Sequence, residues 1–288
     1  TDLYNYNFID AVKELAQQAG ILINFENKKK SKEENIINEI LEATCLWFEK
    51  NLNDDAARFC NDYLVTRKLT RETIKKFRLG YSSNKDSSLF DFLKSKNYVE
   101  NDLLRSNIVK LDKNKKIRDF FYKRLIFPIF NSYGKVVGFG GRSLDGSNPK
   151  YINSPESNIF QKRNILYNLN LAKNSVRKKN NLLICEGYMD VISLNQKGIT
   201  SVVAPLGTSL SEEQLNLSWK YCSKPTIMFD GDAAGLRASY KSAILALSLI
   251  NSKNFIQFVS LPENYDPDSY INNVSFKNFV KILKSPVS

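Results

Sequence analysis

The sequence contains no histidine. That absence removes the Ser-His and Cys-His nucleophile pairs and every His-ligated metal site. Any catalysis must therefore run on carboxylates, lysines, arginines, backbone amides or a bound metal. The four cysteines, Cys45, Cys60, Cys185 and Cys222, are scattered and form no CxxC pair, so they read as reduced packing residues and not as zinc ligands. No apolar run reaches the roughly eighteen residues of a membrane span. Residues 1–25 lack the basic, apolar, small-residue order of a signal peptide. A cytoplasmic chain with no membrane partner is the simple reading. Internal repeats and coiled-coil heptads are also missing.

The 288 residues are enough for a sizeable core, arranged as two domains or one large one. Charge divides them. Of the 42 Lys/Arg and 30 Asp/Glu, residues 1–180 hold 33 and 21, a surplus of 12, whereas residues 181–288 hold 9 and 9. A basic first part is suited to holding a polyanion. A solvated surface that only keeps the protein soluble accounts for the same charge, and both readings stay open on charge alone.

Hydrophobic spacing predicts a helix over 8–20, a polar linker over 26–32, and a strong helix through Ile36, Ile37, Ile40, Leu41, Trp47 and Phe48. Shorter helices are expected at 56–64, 71–77 and 89–96. From Ile108 the period shortens: Ile108-Val109, 125–130 and 135–139 read as strands, the last two joined at Ser132-Tyr133-Gly134 as a hairpin. A helix over 165–176 leads to a polar, basic boundary at 174–181. Beyond it, strands at 182–185, 201–204, 226–229 and 255–260 alternate with helices at 188–197, 211–221 and 234–250, the order of a mostly parallel, doubly wound sheet.

Acidic clusters follow three of those strands: Glu186 and Asp190, Asp230-Gly231-Asp232, and Asp266-Pro267-Asp268. Parallel strands share a direction, so their carboxyl ends fall on one edge, where ligands bind in open α/β sheets. Oxygen ligands of this kind suit a hard divalent cation, magnesium above all. Taken singly, a DxD or DPD is as readily a loop or a helix cap. Ala233-Ala234-Gly235 opens a helix whose free amides could meet a phosphate. Upstream, Gly140-Gly141 before Arg142 could let a phosphate approach the backbone, and Lys150 beside Tyr151 pairs a charge with a stacking surface. Gly-Gly is equally a bulge, and Tyr151 equally a core residue.

Glu-x-x-x-Asp followed by Asp-x-Asp in this strand order resembles the toprim domain shared by primases, topoisomerases and some nucleases. Longer stretches resemble bacterial DnaG-type DNA primases: Glu186-Gly187-Tyr188-Met189-Asp190, Leu206-Gly207-Thr208-Ser209 and Asp230-Gly231-Asp232-Ala233-Ala234-Gly235. So do Leu79-Gly80-Tyr81, Phe127-Pro128-Ile129, Gly138-Phe139-Gly140-Gly141-Arg142 and Pro149-Lys150-Tyr151-Ile152-Asn153-Ser154-Pro155-Glu156.

The resemblance implies an α/β fold: a short N-terminal helix and linker (1–32), a mixed α+β basic lobe (33–180), a Rossmann-like toprim domain (181–265) and the start of a truncated helical segment (266–288). It implies magnesium, replaceable by manganese, on Glu186, Asp190, Asp230, Asp232, Asp266 and Asp268, with the first four catalytic. No zinc is expected in this fragment. Nucleotide or template contacts fall on Arg124, Arg142, Lys150, Tyr151, Asn153, Lys162, Gly207 and Thr208. The implied activity is synthesis of short RNA primers from ribonucleoside triphosphates on single-stranded DNA at the replication fork, leaving an RNA-DNA hybrid. The implied partner is the replicative helicase, through a C-terminal domain absent here. Residues 2–21 resemble the stretch after the family's zinc-binding domain, so the chain reads as a fragment holding the polymerase core. A departure stands at 119–124, where Asp-Arg-Phe-Arg-x-Arg of the family is Asp119-Phe120-Phe121-Tyr122-Lys123-Arg124; Arg118 and Lys123 are the candidates to restore the charge. A toprim nuclease or topoisomerase fragment and a non-catalytic single-strand-binding module remain as alternatives.

Overall fold

The computed structural model describes residues 28–82, 88–207 and 209–287. The helix expected over 8–20 lies outside them. Helix α1 (Lys28–Asn51) begins inside the stretch read as a linker. It buries Ile37, Ile40, Leu41, Cys45 and Phe48 at helical spacing. Helices α2 (Arg58–Thr66) and α3 (Arg71–Lys76) follow, α3 capped by the Thr70 hydroxyl, which accepts from the Thr73 amide at 3.2 Å.

The centre of the first lobe is an antiparallel sheet in the order β1-β4-β5-β6, with β1 at Gly80–Tyr81, β4 at Arg124–Phe130, β5 at Val136–Ser143 and β6 at Tyr151–Asn153. The expected hairpin is present, closed by Gly134 N–H to Asn131 O at 3.0 Å. A separate ribbon pairs β2 (Val109–Leu111) with β3 (Ile117–Asp119), and helices α4 (Ser88–Ser95) and α5 (Glu100–Arg105) pack around it. Phe121, between the two aromatics that stand where the family has arginines, is buried edge-on against Phe48 and Phe139. Arg118 pairs with Asp112 at 3.3 Å.

Residues 165–176 are not one helix. Leu166–Tyr167 form strand β7, and α6 runs from Leu169 to Lys179. Asn168 turns left-handed between them, with φ 70°, and its amide donates to Val202 O at 2.8 Å. Two buried residues pairing with a strand far ahead in the chain leave no periodic signal, which explains the misreading.

The second sheet has the order β11-β10-β8-β9-β7, with β8 at Leu183–Ile184, β9 at Val202–Pro205, β10 at Thr226–Ile227 and β11 at Gln257–Phe258. All are parallel except the edge strand β7. Alternation along each strand sends Leu183, Val202 and Met228 to one face and Ile184, Val203, Ile227 and Phe229 to the other. Helices α7 (Tyr188–Gln196) and α10 (Pro267–Asn273) cover the first face. Helices α6, α8 (Glu212–Trp219) and α9 (Ala233–Leu247) cover the second. Helix α11 (Phe276–Leu283) follows and buries Phe279 in the core of the first face. The first face shares one continuous core with Leu125, Phe127 and Ile129 of the antiparallel sheet, so the two lobes are packed together. The four cysteines are buried and unpaired. Among the described residues no helix is long and apolar enough to cross a membrane.

Candidate active site

Because β8 and β10 are parallel neighbours, the residues that follow them meet at the same edge. The Asp230 amide donates to Glu186 Oε1 at 3.0 Å. Asp232 caps α9, its Oδ1 accepting from the amides of Ala234 at 2.9 Å and Gly235 at 2.7 Å. Burial, reinforced by the charge of Asp232, holds the Glu186 carboxyl above the usual range. Burial and then the charges of Glu186, Asp266 and Asp232 push Asp230 up to about 7. Its Oδ1 is buried and has no hydrogen-bond partner among the described residues.

The other three acids are engaged within the protein. Asp190 is buried, with Oδ2 accepting from the Gly187 amide at 2.9 Å and Oδ1 from the Asp268 amide at 3.2 Å. Burial raises its carboxyl well above the ordinary range. Asp266 caps α10 through the Ser269 amide at 2.6 Å. Asp268 is buried with Oδ2 on Arg67 Nη1 at 2.7 Å, while Oδ1 accepts from the Ser193 hydroxyl and, at 2.9 Å, from Asn272. Among the described residues no three acids form a ready metal cage, so the six do not converge as one shell.

A cleft of about 440 Å³ lies in front of these groups. Glu186, Asp190, Asp230, Asp266 and Asp268 line it from the second lobe and Arg67, Arg142, Lys150, Tyr151 and Asn153 from the first, with Leu206 and Gly207 also in the lining. The Arg142 guanidinium sits 4.7 Å from the centre of the Tyr63 ring and 5.2 Å from that of Tyr151, and Nη1 donates to Tyr151 Oη. Tyr188, at the start of α7, crosses between the lobes. Its ring stacks on Phe127 at 4.8 Å, meets Tyr167 edge-on at 4.7 Å, and its hydroxyl donates to Asn153 Oδ1 at 2.6 Å.

Gly140-Gly141 does not open the backbone to a phosphate. A Cβ on Gly140 would lie 2.6 Å from the Tyr188 ring, and one on Gly141 2.7 Å from Phe121, so the glycines make room for aromatic packing. Arg124 is buried and points inward, its Nη1 donating to the carbonyls of Gly141 at 3.3 Å, Pro149 at 3.0 Å and Lys150 at 3.4 Å. Lys162 lies outside the cleft lining; its amide contacts the Glu156 carboxylate at 3.2 Å. Asp232 stands beside the cleft at the α9 cap, and Thr208 falls outside the described residues.

Sequence reasoning missed Arg67, Tyr63 and the structural part of Tyr188. Tyr63 and Arg67 are four apart, a spacing that marks a shared helix side. Nothing in the spacing says that this side faces the acids.

A parallel sheet with an acidic rim, closed over by a basic antiparallel lobe, places the chain among the toprim-containing proteins, and residues 183–271 match the Toprim-like family. Residues 47–173 match the DNA primase catalytic core, N-terminal domain, and the chain belongs to the DnaG-type DNA primase family. Toprim domains of this family generally bind divalent metal. The chain is 38% identical over 291 residues to a DNA primase of Clostridium acetobutylicum, covering 99% of this chain and 47% of the relative. It is 36% identical to the DNA primase of Buchnera aphidicola, covering 98% and 49%. The chain thus spans about half the length of the curated relatives it matches. Among solved structures, the zinc-binding and RNA polymerase domains of the Aquifex aeolicus primase superpose with TM-score 0.81 at 32% identity, covering 98% of this chain and 68% of that one. A DnaG primase catalytic domain bound to single-stranded DNA superposes with TM-score 0.82 at 29% identity, covering 89% and 83%.

Proposed function

We propose that the cleft joins ribonucleoside triphosphates into short RNA primers templated by single-stranded DNA. The observation that carries this reading is that Glu186 and Asp230 of the second lobe line one cleft together with Arg142 and Lys150 of the first. A reaction between a 3′-hydroxyl and an α-phosphate needs both signs of charge: cations to hold the triphosphate and carboxylates to hold a metal. The single strand bound to the related catalytic domain, together with the surplus positive charge of residues 1–180, supports template phosphates running along the first lobe.

The donor set fits a hard divalent cation. The charge of Asp232 raises the proton affinity of both Glu186 and Asp230, and Asp230 Oδ1 is an acceptor without a partner among the described residues. Magnesium, or manganese in its place, would be held by Glu186 and Asp230, with water and phosphate oxygens supplying the rest of its shell, since no three acids among the described residues form a cage. When bound, it would stabilise charge building on the phosphates and acidify the attacking hydroxyl. Asp190 fixes the Gly187 turn and the first turn of α10, and Asp268 fixes Arg67. Arg142 and Lys150 anchor the triphosphate, Tyr151 offers a ring to a base, and Asn153 orients Tyr188. Arg124 acts through Lys150, by holding the carbonyls of the 149–150 loop. Synthesis of this kind takes place in the cytoplasm, at the replication fork.

Primer synthesis from the four ribonucleoside triphosphates on single-stranded DNA tests the reading. Glu186→Gln and Asp230→Asn should each lower product by about a hundredfold or more. Undiminished synthesis by both variants would overturn the assignment. Degradation of labelled DNA with metal alone would mark a nuclease, and binding without product growth a non-catalytic module.

A further inference from the structure

Two guanidinium groups of the cleft lining lie close to one tyrosine ring. Tyr63, on α2, has the Arg67 guanidinium 5.4 Å and the Arg142 guanidinium 4.7 Å from its ring centre. The two arginines differ in their partners. Arg67 is committed to the buried Asp268 at 2.7 Å. Arg142 pairs with no carboxylate among the described residues; its Nη1 is spent on the Tyr151 hydroxyl, and its Nε is buried without a partner.

An arginine with four rotatable side-chain bonds loses much freedom when fixed in place, and a guanidinium facing carboxylates across a cleft is drawn to them. Stacking between two rings opposes both effects: the faces of Tyr63 and Tyr151 attract the cation without neutralising it. The charge stays available to an incoming anion, and the arginine arrives already oriented. Asp268 has the complementary task, because it occupies Arg67 and leaves Arg142, with Lys150, as a cation of the cleft lining that no carboxylate among the described residues neutralises.

We infer that Tyr63 is a positioning residue for the triphosphate subsite: its ring holds the Arg142 guanidinium toward the cleft. The inference rests on the nucleotide reading of the cleft and adds to it a residue from a different helix. The ring face carries the effect. The Tyr63 hydroxyl, buried and hydrogen-bonded, if at all, toward the Arg67 guanidinium and not toward Arg142, does not.

Binding of magnesium ATP to the 288-residue chain, measured by calorimetry, tests this, with thermal melting of each variant alongside. Tyr63→Phe keeps the ring and should bind as the parent does. Tyr63→Leu should weaken binding about fivefold, the share expected of one partly desolvated cation–π contact. Tyr63→Met serves as a second non-aromatic side chain should the leucine variant fail to fold. Arg142→Ala should weaken binding further, and Tyr63→Leu added to Arg142→Ala should cost nothing more, because Tyr63 acts through that arginine. In primer synthesis Tyr63→Leu should raise KM for nucleotide while kcat holds. Parent-like binding by both non-aromatic variants, with Arg142→Ala still weakened, would overturn the role of Tyr63 and leave the cleft assignment standing. Parent-like binding by Arg142→Ala would overturn both. An additive double variant would show that Tyr63 acts independently of Arg142 and would also overturn the inference.

Discussion

The two walls of the cleft are built on different principles. In the second lobe the acids stand where parallel strands end, so topology alone delivers Glu186 and Asp230 to one edge. In the first lobe no such rule applies, and side-chain packing decides which cation faces the cleft. Arg124 and Arg142 stand on paired strands, yet one is folded onto backbone carbonyls and the other is held out between two rings. A parallel sheet places chemistry by chain direction, whereas an antiparallel lobe places it by contacts that no local pattern records.

The sharpest way to break this contrast is to separate activity from stability on the acidic wall. Glu186→Gln should cost about a hundredfold or more in primer synthesis while leaving urea unfolding nearly unchanged, since its carboxyl is held protonation-prone by burial. Asp268→Ala should do the reverse in emphasis. It strands Arg67 and removes the acceptor for Ser193 and Asn272, a loss of about 3 kcal/mol by chemical denaturation. If both variants lose activity and stability in the same proportion, the division between reacting and supporting acids fails.

On the basic wall, Gly140→Ala should lower stability by about 1–3 kcal/mol, because its methyl group would meet the Tyr188 ring. ATP affinity measured well below the melting temperature should change little. A large loss of affinity with no loss of stability would restore the phosphate-approach reading of Gly140-Gly141.

The smallest effect concerns pH. Asp230 is held at about 7 in the folded chain and lies near 3.9 unfolded, so its folded state binds the extra proton between these values. Its contribution to stability is complete below about 4 and is lost as pH rises through 7. In EDTA, the melting temperature of the parent relative to Asp230→Asn should therefore fall between pH 4 and 7. Magnesium should reduce that fall. A parent-to-variant difference that is flat with pH would show that Asp230 is not strained by its neighbours.

These contrasts also mark what could be read beforehand. The alternating strands and helices after residue 181 were legible because each is a short apolar run bounded by turn residues, and Asp230-Gly231-Asp232 declared itself by its position behind one. Strand β7 was not legible, since its two residues are defined by pairing with Val202–Pro205. The replaced arginines at Phe120 and Tyr122 were visible as a departure; burial of the intervening Phe121 among Phe48 and Phe139 was not. Arg67 escaped notice because its partner, Asp268, lies 201 residues away. Asp268 was expected to hold metal, but its oxygens are already shared among Arg67, Ser193 and Asn272.

Tyr188 sits against Phe127 and Tyr167 at the seam where the two lobes share a core. Opening the cleft by swinging one lobe from the other would wet these rings, at a cost of about 2 kcal/mol or more for each aromatic exposed. The gap is therefore a fixed gauge. On the proposed function, strands and nucleotides would have to fit a frame that stands still.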